Sequence, residues 1–190
     1  EEIEPRIRGE KNIHFPDTGC IALENALASG ECQPLAEAEK IYAGAGRYSV
    51  PVHLDGARIF NAAAALGLEA AAIAAAADSV MFCLSKGLSA PVGSLLAGGR
   101  DFIEAARVRR KIMGGGMRQA GILAAAGLVS LDTMRLRLAE DHATAARLRE
   151  ILGRHSELRV MKQKNPINMV FFRLADTAGD VPSRERDFLA

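Results

Sequence analysis

The chain has 190 residues, with 24 Lys+Arg against 23 Asp+Glu and 49% hydrophobic residues, which suits one or two compact domains with a buried core. A formal net charge of +1 supplies no whole-molecule field to concentrate nucleic acid or anionic lipid, so a small-molecule site is expected instead. The three cysteines, Cys20, Cys32 and Cys83, lack C-x-x-C spacing, which argues against a disulfide framework or a zinc cage and for a reducing, cytoplasmic setting. Alanine-dominated apolar stretches are interrupted before the roughly 18 residues of a bilayer span, and no targeting segment is visible. The opening EEIEPRIRGEKN has no Met, which places the expected start of translation upstream.

Taken in chain order, a short apolar run predicts a strand over 19–24, ending at Asn25. Leu35, Ala38 and Ile41 at helical spacing, with Pro34 at the start and charges outside, predict a helix over 34–46. A strand over 50–54 stops at Asp55. Helical segments over 57–66 and 69–77, broken at Gly67, lead to a strand over 79–84 that stops at Ser85-Lys86. This is a complete β-α-β crossover, so Asp55 and Lys86 are expected at carboxyl ends of parallel strands on one rim. A strand over 93–97 and a helix over 101–112 capped by Asp101 follow. Beyond the glycine triplet at 114–116, residues 117–131 and 133–152 read as two helices or one kinked one. Strand-like stretches at 158–161 and 168–174 and a polar tail follow, which sets a boundary between a large domain over 1–152 and a smaller α+β region over 153–190. The fold class is therefore α/β, a mostly parallel mixed sheet with flanking helices.

Lys86 follows an apolar strand in FCLSKGLSAPVGS, with glycines that let the backbone approach a ligand. A partly desolvated lysine there is a nucleophile toward an aldehyde; a solvated lysine at a strand end is the plain alternative. Asp55 in VPVHLDGAR suits the partner of a protonated pyridinium nitrogen, or a cap for the following helix. Arg58, one helical turn on, either reaches the same site or pairs with Asp55. His14 suits general acid–base work or a structural place. His53 is expected to pack, and His142 and His155 to be solvated. The basic run at 107–111 is expected to pair with Asp101 and Glu104 on its own helix as a solvated or subunit-contact face. GGGMRQAG at 114–121 could form an anion-binding helix start with Arg118 in the first turn, or a hinge.

In order along the chain, IALEN, VHLDGARIFNAAAALG, DSVMFCLSKGLSAPVGSLLAG and KIMGGGMRQAGILAAAGL resemble the pyridoxal-phosphate-dependent low-specificity L-threonine aldolases. The resemblance runs from about Asn12 to Met169. It implies the aminotransferase-like type I fold, with pyridoxal 5'-phosphate as cofactor, an amino acid as substrate and a homo-oligomer, a dimer or tetramer, as the assembly. It implies Lys86 as the Schiff-base lysine, Asp55 as the ring-nitrogen partner, and Arg58 near the phenolic oxygen or the substrate carboxylate. It places the Asn25 region beside the ring and His14 near the substrate β-hydroxyl. Lys111 and Arg118 fall in a segment close to the active site at a subunit interface. The reaction implied is cleavage of the Cα–Cβ bond of threonine to glycine and acetaldehyde, a related β-eliminating lyase being the nearest alternative. Two departures stand out. This chain reads ENALASGE where the family has an ENTHN-type segment, and the family's phosphate-cradling segments, ring-stacking histidine and C-terminal arginine are not visible.

Overall fold

A computed structural model describes residues 3–8 and 13–175. Four strands, β1 (Ile21–Glu24), β2 (Val52–Asp55), β3 (Ser79–Cys83) and β4 (Ser94–Gly98), form one sheet in that order. The β1–β2 and β2–β3 pairs are parallel and β3–β4 is antiparallel, the mostly parallel mixed sheet expected from the sequence. Parallel neighbours need long crossovers, and the chain supplies them as α1 (Leu35–Arg47) between β1 and β2, and α2 (Ile59–Leu66) with α3 (Ala70–Ala74) between β2 and β3.

Local chemistry sets these boundaries. Pro34 sits at the N-cap of α1, where its missing N–H is no loss, while Glu37 lies in the first turn and Arg47 in the last, each complementing the helix dipole. Gly67 closes α2 in the left-handed conformation at φ 65°, donating its N–H to the Ala63 carbonyl. In β2 the side chains alternate, with Val52 and Leu54 buried and Asp55 exposed.

Register then builds the core. Leu23 lies opposite Leu54, and Leu54 opposite Val80, so these three line one face of the sheet. There they pack with Ile59 and Ala62 of α2 and Ile73 of α3. Each buried Leu or Ile contributes about 1.5–3 kcal/mol relative to exposure. Small alanines let α2 lie close to the strands. A second cluster joins Leu84, Leu88 and Ala90, just after β3, to Leu138.

The later helices depart from expectation. α4 (Arg100–Ile112) takes Gly99 as its N-cap; Asp101 stands in the first turn without a capping bond and helps through the dipole instead. The basic run does not pair with Asp101 or Glu104. Among the described residues the ion pairs are Glu4 with Arg47 and Arg137 with Glu140. The α4 charges are solvated, where a pair gains little. Residues 117–120 form a turn, and α5 (Gly121–Asp132) starts only at Gly121. A 3-10 turn, Met134–Arg137, separates it from α6 (Leu138–Leu152).

The antiparallel pair β5 (Leu158–Val160) and β6 (Phe172–Leu174) closes the described chain. The expected strand over 168–174 is shorter because Ile167 and Met169 pack onto the main core. The segment runs beside residues 29–33, with Cys32 N–H donating to Asn165 and Ile167 N–H donating to Gly30. The polar tail beyond Ala175 lies outside the described residues.

Candidate active site

The carboxyl ends of β2 and β3 lie side by side, with Glu24, Asp55 and Met81 in register across β1, β2 and β3. Asp55 is the last residue of β2 and points away from the face that buries Leu54. Its Oδ1 accepts the Ala57 N–H at 3.0 Å, a local turn bond that leaves Oδ2 without a donor among the described residues. So Asp55 does hold the turn into α2, as its capping alternative anticipated, and still presents a carboxylate oxygen on the rim. Gly56 is needed here for space: a Cβ would lie 2.9 Å from the Met81 carbonyl oxygen, to which Gly56 donates its own N–H at 2.9 Å.

Lys86 stands three residues beyond β3, on a turn closed by Ser89 N–H to the Lys86 carbonyl at 2.9 Å. Leu84 and Leu88 flank it and are both buried against Leu138, which anchors the turn on either side and leaves Ser85 and Lys86 exposed. The amine is solvent-exposed, as the plain alternative anticipated, on the turn that follows the strand paired to β2. Arg58 is the N-cap of α2 and half-buried; it makes no ion pair with Asp55.

The other expected site residues are placed differently. Asn25 is buried, with Oδ1 accepting the Gln33 N–H at 3.2 Å and Nδ2 donating to the Gln33 carbonyl at 3.1 Å. Its amide thus acts as a surrogate strand edge that fixes the loop after β1. His14 is exposed in the segment ahead of β1, away from the strand ends that carry Asp55 and Lys86 in sequence and in topology. Lys111, at the end of α4, is exposed and packs over Gly116, where a Cβ would meet its Cδ. Arg118 precedes α5 by three residues and so does not occupy the first turn of a helix.

His53 is half-buried, its Nδ1 2.8 Å from Ser79 Oγ, a packed role as expected. His155 is exposed. His142 corrects the expectation of a solvated side chain. It is half-buried, its Nε2 lies 3.2 Å from Asn61 Nδ2, and burial pushes its pKa below the ordinary value against the opposing pull of Asp141. Asn61, the partner, was not among the expected site residues. Its signal was a single amide inside the apolar run IFNAAAALG. Glu31 is held below the usual carboxylate range by the Lys164 backbone N–H and the Ser29 hydroxyl.

A family model described as beta-eliminating lyase matches residues 1–175. The chain belongs to the beta-eliminating lyase family. Within it, the chain is 45% identical over 179 residues to low-specificity L-threonine aldolase 1 of Arabidopsis thaliana, covering 93% of this chain and 50% of that protein. It is also 45% identical over 165 residues to the low specificity L-threonine aldolase of Escherichia coli K12, covering 87% of this chain and 48% of that protein. The solved threonine aldolase of Leishmania major superposes with a TM-score of 0.76 at 19% identity, over 97% of this chain and 54% of that one, and so shares the fold. The chain spans about half the length of the curated relatives it matches.

The family implies pyridoxal 5'-phosphate, and the donor set on the rim fits the ring end of that molecule. An amine on an anchored exposed turn suits its aldehyde. A carboxylate with one oxygen open, at the end of the neighbouring strand, suits its basic ring nitrogen.

Proposed function

We propose that this chain carries the lysine- and aspartate-bearing part of a pyridoxal-phosphate-dependent carbon–carbon lyase that cleaves threonine or allo-threonine, as β-hydroxy-α-amino acids, to glycine and an aldehyde. The observation that carries the reading is an exposed Asp55 ending β2 and an exposed Lys86 on the turn that follows β3, the strand paired parallel to β2. The printed names of the relatives, low-specificity L-threonine aldolases, support the choice of substrate.

Bound there, the cofactor supplies a conjugated ring that takes up the electron pair released when the Cα–Cβ bond breaks. Lys86 would hold the cofactor's aldehyde end through Nζ. Asp55 would face the ring nitrogen and favour its protonated form, which would stabilise the charge that develops in the transition state. Arg58 is proposed to bind the substrate carboxylate or the ring oxygen. His14 is proposed to take the β-hydroxyl proton. Asn25, Lys111 and Arg118 are proposed as flanking contacts; the Asn25 side-chain amide is engaged by Gln33.

A homo-oligomer and a cytoplasmic setting belong to the same proposal. Exposed Ile112, which ends α4, and Met113 and Met117, which follow it, support the former, since solvent-facing apolar groups in one stretch mark a contact surface. The division into a large domain over 1–152 and a smaller one over 153–190 is proposed with it.

The test is product analysis after incubation of the chain with pyridoxal phosphate and L-threonine. Glycine and acetaldehyde in equal amounts, lost in Lys86→Ala, are expected. 2-Oxobutyrate and ammonia would show elimination of the β-hydroxyl and favour the β-eliminating alternative. Unchanged products from Lys86→Ala would overturn the assignment.

A further inference from the structure

Asn61 is a polar side chain 3% exposed on the apolar face of α2, and a buried amide without partners would be costly. Its partners come from two distant parts of the chain. Nδ2 donates to Asn168 Oδ1 at 3.2 Å and lies 3.2 Å from His142 Nε2. Both amide hydrogens are thereby used, which requires His142 to present a bare Nε2 and carry its proton on Nδ1.

The same side chain lies against the backbone that follows Lys86. A Cβ on Gly87 would be 2.8 Å from Asn61 Oδ1 and 3.0 Å from Leu138 Cδ2. Gly87 is half-buried with ordinary backbone geometry, so the glycine is required for room and not for a left-handed turn. Asn61 therefore meets α6 through His142, the C-terminal segment through Asn168, and the Lys86 turn through Gly87.

We propose that Asn61 is a positioning residue that couples seating of the C-terminal segment around Asn168 to the placement of the Lys86 turn. When Asn168 and His142 hold the amide, Asn61 Oδ1 and Leu138 form a fixed wall on which Gly87 rests, and Lys86 is presented from that wall toward the Asp55 strand end. When Asn168 leaves, the amide loses one of its two acceptors and the wall loosens. The proposal rests on the reading of Lys86 as the cofactor lysine, and adds a residue that touches neither cofactor nor substrate.

Amide hydrogen exchange on the 190-residue chain tests it without any cofactor. The reporters are the Leu84, Ser89 and Ala90 amides, which bond the Gly93, Lys86 and Leu84 carbonyls. In Asn168→Ala their exchange is expected to quicken by about tenfold, the worth of one buried hydrogen bond. Exchange unchanged at those amides, with only the residues near Ile167 affected, would overturn the proposal and leave Asn168 a local structural group.

A second arm guards against simple misfolding. Gly87→Ala is expected to loosen the turn, and Asn61→Ala in that background to restore part of the lost protection by removing the 2.8 Å contact. Strictly additive losses would contradict the coupling. With pyridoxal phosphate added, Asn168→Ala is expected to lower borohydride-trapped label at Lys86 relative to the unsubstituted chain. If the unsubstituted chain takes no label at Lys86, the cofactor reading fails, while the exchange result still decides the role of Asn61.

Discussion

Helices α2 and α5 look alike as sequence, IFNAAAAL against GILAAAGLVSLD, and lie in opposite surroundings. α2 joins two parallel strands, so its crossover has to lie back against the sheet, and Ile59, Ala62 and Ala63 are buried there. α5 follows a glycine-rich turn and leads to another helix, and no strand pulls it onto the sheet. Ile122 is 82% exposed and Leu128 and Val129 also face solvent. Alanine and leucine content makes both segments helical; connectivity decides which one is covered. A helix that is apolar on every side is typical of an interior, so the exposed face of α5 is one that the proposed homo-oligomer would cover.

The largest expected stability contrast follows directly. Ile59→Ala, at a site 3% exposed, is expected to cost about 2–5 kcal/mol in urea unfolding through lost contacts and the cavity left behind. Ile122→Ala is expected to stay within about 0.5 kcal/mol in the isolated chain. Equal losses would show that α5 is covered in solution, and sedimentation of Ile122→Ser would then reveal whether a second copy covers it.

Thiol reactivity draws the same line more gently. Cys32 lies in the cluster that α2 packs on, and burial pushes its thiol up to about 11, whereas Cys20 is exposed. Near neutral pH a maleimide is expected to label Cys20 and to reach Cys32 only after denaturation. Prompt labelling of Cys32 would mean that the α2 core opens.

The smallest effect is a pH dependence at the edge of α2. Because burial lowers the pKa of His142 in the folded chain, the unfolded chain takes up its proton first. Stability from this group is complete above the unfolded value of 6.5 and is lost as pH falls from there through the lowered folded value. Unfolding midpoints measured across that window are expected to decline on acidification, and His142→Ala to flatten the decline. An equal slope in His142→Ala would assign it to other groups.

Much of the sheet is legible in the sequence because each of the three parallel strands is an apolar run soon stopped by a polar residue. That same rule exposes Asp55 and Lys86, which terminate two such runs. Asn25 and His142 are not legible in this way. What Asn25 does depends on Gln33 folding back across the loop, and what His142 does depends on Asn61, 81 residues away. The late start of α5 at Gly121 is hidden for a different reason: MRQA has good helix formers but no capping residue, and Gln119 takes a positive φ of 52°.

The most direct test of the central claim is peptide mapping of the chain after incubation with pyridoxal phosphate and reduction with borohydride. The account predicts label on Lys86 in preference to Lys40, Lys111, Lys162 and Lys164, and less label in Asp55→Ala. Label spread evenly over the exposed lysines, or undiminished in Asp55→Ala, would contradict it.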